Sequence, residues 1–529
     1  MIGLELVVIL GAVILACGVL ARRTGIAGPI LLLLAGIGLG FAPELRDVHL
    51  PAELMLLVFL PMLLYWEALT TSLREIRATF RGIVLTSTLL VVATAAGVAA
   101  AAHALGVSWG PAWVLGAALA PTDATAVGAL ARSLPRRTVT VLRAESLVND
   151  GTALVLYGVA VGVTVGEENL AAGHVAGVVA ISYVGGILIG AVVAWLATLA
   201  RRRIHDTVLS NVLVLLIPFT AYLLAELVEA SGVLAVVVAG LVMSQVGPRI
   251  GTAAARQLTT GFWTLATYLL NAALFVLVGI EAHSSVRSLA GDELLTGILG
   301  VVVAFAVIGV VRFGFLVVSA YTIRLVDRRP SQRLRRVTNR ARVVSTVAGF
   351  RGAVSLAVAL SVPATLGSGA PFPDRDLIVF ITAGVVATTL VVQGLLLGPT
   401  VRWAHLPDDD IHRERHLAET TATEEALDAL PGLAASLGAD SAVVDRLRGE
   451  FEEHLEILRA RDGEAAAPAQ AVQLHDGYTE LRLALLARKR ATVIRLRDQR
   501  HIDDTVLRQV QAHLDAEELR LDRTAGLSE

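Results

Sequence analysis

Thirteen long apolar stretches divide most of this chain, at about residues 3–20, 26–41, 51–71, 80–105, 111–131, 140–165, 174–200, 207–229, 232–246, 257–282, 294–323, 341–364 and 375–402. A bilayer's hydrocarbon core takes about 20 apolar residues wound as a helix. Lipid offers the backbone no hydrogen bonds, so such segments span it as helices. The expected fold class is therefore an all-α polytopic membrane protein with about 13 transmembrane helices. Composition agrees: 55% of residues are hydrophobic and 17% charged, unlike an ordinary soluble enzyme.

Arginine placement tests the span count and sets an orientation. Alternate loops hold 22 arginines, among them Arg22, Arg23, the run Arg201 to Arg203 and eight from Arg324 to Arg342, whereas the intervening loops hold only Arg46, Arg287 and Arg375. Positive loops face the cytoplasm, which puts the N-terminus outside and the C-terminus inside. The stretch "ILAC" at 14–17 resembles a lipoprotein cleavage site, but no basic residue precedes it and Arg22 and Arg23 follow, so an uncleaved first span is expected. Cys17 is the sole cysteine, which excludes an intramolecular disulfide and a cysteine metal centre. With 43 arginines and one lysine, Lys489, the composition points to a GC-rich bacterial source and hence to the bacterial inner or plasma membrane.

Residues 1–402 carry a net charge of +8 and residues 403–529 a net charge of −10. The first part is expected to be the transmembrane domain. The second has apolar residues at helical spacing and charges on the other faces, the pattern of a cytoplasmic helical tail, with "EAAAPAQ" at 464–470 as a linker. The arginines of the membrane part are scattered singly between apolar runs, so no nucleic-acid surface is expected.

Few ionisable residues lie deep in the apolar stretches: Glu67, Asp123, Glu145, Asp150, Arg312 and Arg351. Such groups are costly in a membrane and mark ion or proton pathways. In "VLGAALAPTDATAVGALA" (114–131), Pro121 cannot donate to the carbonyl of Ala117, so the helix is expected to loosen around Ala120 to Thr122 and free carbonyl oxygens beside Asp123. In "ESLVNDGTALVLY", Glu145 and Asn149 share one helix face while Ser146 and Asp150 share the adjacent one. Freed carbonyls and carboxylates together make a hard-oxygen cage suited to an alkali cation, and broken helices are a recurrent binding device in secondary transporters.

The ordered set "PTDATAV", "ESLVNDGTALVLY", "GVLAVVVAGLVMS", "FWTLATYLLNAALFVLVGIE" and "GFRGAVSLAVAL" resembles the bacterial monovalent cation/proton antiporters of the cation/proton antiporter-1 family, the NhaP and sodium/hydrogen exchanger relatives. The resemblance covers nearly all of residues 1–402. It implies two inverted six-helix repeats with interrupted crossing helices, the fifth and twelfth spans, and a homodimer. It makes Asp150 the carboxylate that exchanges a proton for the cation, and Asp123, Thr122 (by its backbone oxygen), Ser146 and Glu67 its companions at the ion site. Asn149 would hold the broken span, and Glu145 would pair with Arg351. Where the family reads TDP, this chain reads PTDA.

The implied function is sodium (or lithium)/proton antiport serving pH and sodium homeostasis, with potassium/proton exchange as the alternative. No cofactor is expected, since the cation and the proton are substrates. Relatives with two adjacent Asp residues at this place are electrogenic, so Asn149 implies electroneutral one-for-one exchange. Two rivals come from other classes. An intramembrane aspartyl protease would use Asp123 and Asp150, but the chain lacks a GD motif at either. A membrane sensor would use the tail as its output.

Overall fold

The computed structural model describes residues 2–42, 55–123, 134–166, 172–250, 252–289, 291–326, 338–406, 411–461 and 469–499, and some residues between 501 and 521. Residues 124–131 of the fifth apolar stretch lie outside the described residues. So do Arg46, Arg132, the arginines from Arg328 to Arg336, and linker residues 464–468. Contacts divide the chain into two compact units, Met1–Asp408 and Asp409–Glu529.

Every apolar stretch of the first unit contains helix. α1 (Ile2–Thr24), α2 (Gly28–Leu39) and α3 (Leu60–Thr70, preceded by a π turn at Met55–Phe59) take up the first three. α4 (Leu73–Ala104) begins at an N-cap, Ser72, whose side chain accepts a hydrogen bond from the backbone N–H of Glu75. α5 (Trp109–Leu119) is short, and α6 (Arg136–Val165) is closed by Gly166 in a left-handed conformation at φ 90°. Then follow α7 (Ala172–Arg203), α8 (Thr207–Glu226), α9 (Gly232–Ile250), α10 (Ala253–Ser288) and α11 (Asp292–Val326). Asp206 and Thr252 cap α8 and α10 through their side chains. The twelfth stretch holds two short helices, α12 (Asn339–Val347) and α13 (Ala353–Leu360). The last runs through α14 (Arg375–Thr388), a π turn at Thr389–Gln393 and α15 (Gly394–Ala404).

By length and composition, nine described helices can cross a membrane; α2 and α3 are apolar but shorter. Of the remaining apolar stretches, the twelfth is split between two short helices, and in the fifth the described helix ends at Leu119. Many large apolar side chains face outward, including Leu15, Leu188, Leu216, Val302 and Val310, as expected of surfaces solvated by lipid. The first unit is an all-helical, multi-pass membrane protein.

Without a hydrophobic drive between helices in lipid, close packing depends on small residues. α5 lies so near α4 that a methyl group on Gly116 would stand 2.3 Å from the backbone oxygen of Ala95. Among the described residues, three large buried clusters and a small one around Val91, Ala95, Ala120 and Ala153 fill the interior. One joins α1, α2, α10, α14 and α15 around Phe275, Val276 and Phe350. A second gathers α3, α7, α8 and α9 around Tyr65, Met243 and Trp263, where Trp66 stacks on Trp263 at 5.9 Å. The third, around Leu115, Leu119 and Ile381, ties α5 to α13 and α14. α6 passes between these groups, with Leu147 in the second cluster and its polar face toward α5.

The second unit contains α16 (Ile411–Leu437), α17 (Ser441–Arg461) and α18 (Ala469–Asp498). Arg459 pairs with Glu424 at 2.6 Å, and Arg490 with Asp515 at 2.6 Å and with Glu518. Its described buried cluster is small, centred on Leu486, Leu514 and Leu521.

Candidate ion-binding site

The site begins where two helices stop. α5 ends at Leu119 because Pro121 has no N–H to continue the ladder; α12 ends at Val347 and α13 starts at Ala353, leaving residues 348–352 unwound. The two extended pieces cross, and the N–H of Asp123 donates to the carbonyl of Phe350 at 2.8 Å. The guanidinium of Arg351, 1% exposed, donates through Nε to the Leu119 carbonyl at 3.0 Å and through Nη1 to the Gly349 carbonyl at 2.5 Å. A buried cation thus lies at the C-terminus of α5, where the helix dipole is negative. The converse holds at α13. Its N-cap is Gly352, and a methyl group there would stand 1.8 Å from Oδ2 of Asp123, so the carboxylate rests against the positive end of that helix. Only a residue without a side chain allows this approach. The Arg351 N–H donates to Thr389 Oγ1 at 3.3 Å, in the π turn that follows α14.

α6 supplies the polar wall. Ser146 Oγ donates to the Thr122 carbonyl at 2.8 Å, and Asn149 Nδ2 donates to Thr122 Oγ1 at 2.7 Å, so both groups of Thr122 are held by this one helix. Asp150, 4% exposed, accepts no hydrogen bond from a described residue and faces a cavity of about 50 Å³. That cavity is also lined by Glu67, Thr122, Asp123, Ser146 and Ser355, and has room for a few water molecules or a partly dehydrated cation. Oε1 of Glu67 is buried without a partner. The sequence-named residues Asp150, Asp123, Thr122, Ser146 and Glu67 therefore meet at one cavity, while Asn149 stands just behind Thr122.

The buried ion pair differs from the one the sequence suggested. Glu145 pairs with Arg312 of α11 at 2.6 Å, both side chains being at most 3% exposed, and not with Arg351. The reason is local. Arg351 sits in an unwound segment whose neighbouring carbonyls already bind its donors, whereas Arg312 crosses beside Gly349 and reaches Glu145 while its Nε donates to the Ser345 carbonyl at 3.0 Å. Arg312 so joins α11, α12 and α6. Its isolation in the apolar stretch 294–323 was the available signal, and it named no partner. Ser355 and Gly352 also went unnoticed, the first hidden in "AVSLAVAL", the second in a glycine-rich run.

Crossed helix breaks, each with an opposite charge at its end, around a cavity lined by carboxylates define a membrane protein of the secondary-antiporter fold. Residues 9–403 match the family model described as "Sodium/hydrogen exchanger, transmembrane". The chain belongs to the sodium/hydrogen exchanger family, a family of transporters, and is not an enzyme. It is 45% identical over 525 residues to an uncharacterised Na+/H+ exchanger of Mycobacterium tuberculosis (strain ATCC 25618 / H37Rv), covering 98% of this chain and 96% of that one. It is 30% identical over 425 residues to the low-affinity Na+/H+ antiporter NhaS1 of Synechocystis sp. (strain ATCC 27184 / PCC 6803 / Kazusa), covering 76% of each. Its fold matches the structure of the sodium proton antiporter MjNhaP1 from Methanocaldococcus jannaschii, with a TM-score of 0.59 and 18% identity over 76% of this chain and 99% of that one.

The pairing of Glu145 with Arg312 has a measurable consequence, because removing one member leaves an uncompensated buried charge costing about 3–5 kcal/mol. Glu145→Gln and Arg312→Gln should each lower the thermal unfolding temperature of the purified protein, and the double variant should recover part of the loss. A double variant no more stable than the worse single one would show that the two do not act as a pair.

Proposed function

We propose that the protein is a secondary active antiporter that exchanges one sodium or lithium ion for one proton, serving sodium and pH homeostasis. The observation that carries this reading is the carboxylate of Asp150, buried and facing a cavity that it shares with Glu67, Asp123 and the oxygens of Thr122 and Ser146. Asp150 binds a proton or the cation, never both. Thr122 and Ser146 contribute neutral oxygens, which Asn149 and the hydrogen bond between them hold in place. The names of the cyanobacterial relative and of the archaeal structure favour sodium over potassium. The arginine asymmetry supports an N-terminus outside and residues 403–529 as a cytoplasmic domain, and the arginine-rich, lysine-poor composition supports a bacterial inner membrane. The homodimer rests on the family resemblance.

Exchange follows from exclusive occupancy. An empty, ionised Asp150 is costly to move within a poorly solvated bundle, whereas either loaded form is close to neutral. The remaining charges travel unchanged. Glu145 and Arg312 neutralise each other, and Asp123 and Arg351 face helix ends of opposite sign. Asp150 with a monovalent cation and Asp150 with a proton carry the same net charge, so a full cycle moves none.

Two outcomes test this. In proteoliposomes with an inward sodium gradient, Asp150→Asn should abolish sodium-driven proton flux while the protein still purifies as a folded species. Residual exchange above a few per cent of wild type would move the exchanged proton to another group. For wild type, the proton gradient at which net flux stops should be the same at 0 and about −100 mV, a potential worth about 2.3 kcal/mol per net charge. A voltage-dependent null point would mean that a second charge travels.

A further inference from the structure

Ser355 is the third residue of α13 and is 1% exposed, yet its Oγ has no hydrogen-bond partner. An orphaned buried hydroxyl is uncommon and calls for an occupant or a function. Serines in helices often satisfy themselves by bonding the carbonyl three or four residues back. Ser361, at the far end of the same helix, does so with Val358 at 2.8 Å. Ser355, in the first turn of α13, makes no such bond to the carbonyl of Arg351 or Gly352. Its side chain lines the cavity that Asp150, Glu67, Ser146 and Thr122 share.

A second orphan faces the same space: Oε1 of Glu67, from α3. Unpartnered oxygens from two separate elements, opposite the oxygens of α6 and the end of the fifth span, describe an incomplete shell of hard ligands. A hydroxyl oxygen is a neutral ligand for an alkali cation. A proton on Asp150 has no use for a shell of that size. The carboxylate of Asp123 at Gly352 offsets the positive end of α13, which would otherwise repel a cation from Ser355.

We propose that Ser355 is a further ligand of the transported cation, supplied by the second interrupted span. This rests on the antiport reading and deepens it: the cation, unlike the proton, joins α13 to the fifth span and α6. Cation binding and proton binding then leave the two helix breaks differently held. Ser355 becomes a determinant of cation affinity and not of the proton step.

The test is sodium dependence of exchange in proteoliposomes for wild type, Ser355→Ala and Ser355→Thr, together with thermal unfolding with and without sodium. Without sodium, Ser355→Ala should unfold at or above the wild-type temperature, since it removes only an unsatisfied group. Its half-saturating sodium concentration should rise about tenfold, the effect of losing one contact to a charged ligand, with a maximal rate within about twofold of wild type. The stabilisation given by saturating sodium should shrink in parallel. Ser355→Thr, which keeps the hydroxyl, should restore both. Half-saturation and sodium stabilisation in Ser355→Ala indistinguishable from wild type would overturn the assignment, as would a loss confined to maximal rate. Should the threonine variant fail to fold, the alanine result decides. Wild type that exchanges no alkali cation would overturn the antiport reading, and the ligand with it.

Discussion

Two helix ends buried inside a membrane protein would be untenable alone. Each leaves unpaired backbone groups and about half a charge in a medium that solvates neither. Here each end is answered by the other broken span: Arg351, from the twelfth, donates to Leu119 at the end of α5, and Asp123, from the fifth, rests on the start of α13. The hydrogen bond from Asp123 to Phe350 fixes the crossing point. Gly352 makes the approach possible, Pro121 prevents the first helix from healing, and Thr389 in its π turn satisfies a third orphan group. The fold around the site serves to hold this crossing. α4 and α6 are stitched by Ser87 and Thr152, and α6 to α11 and α12 through Glu145 and Arg312.

The crossing also underlies the proposed exchange. Unwinding takes the Thr122 carbonyl out of the helical ladder and places it beside the cavity that the Asp150 carboxylate faces. Compensation of Asp123 and Arg351 by helix ends leaves Asp150 and Glu67 as the cavity carboxylates that face no helix end, and Asp150 is the one the proposed exchange uses. A hydrogen-bonded ladder through residues 120–122 would have removed the oxygens, and an arginine bound to Asp150 would have removed the switch.

How much of this was legible beforehand depended on whether the signal was local. Apolar length alone located the helical segments, because lipid permits little else. The break at Pro121 was readable from one residue's missing donor, and the shared faces of α6 followed from helical periodicity. The break at 348–352 carries no proline, and only the family resemblance pointed to it. The partner of Glu145 could not be read at all, since both Arg312 and Arg351 are lone arginines in apolar surroundings and the choice depends on which helix lies alongside. Ser355 reads as filler among alanines and valines; only its burial without a hydrogen-bond partner sets it apart.

The most direct test of the account locates the cation itself. Thallous ion is an oxygen-binding, strongly scattering surrogate for alkali cations, and anomalous diffraction from crystals of transport-competent protein would place it. The account predicts a dominant peak in the cavity between the Asp150 carboxylate and the Thr122 carbonyl, lost when Asp150 is replaced by asparagine. A dominant peak elsewhere, or one in the cavity that persists without the Asp150 carboxylate, would contradict it.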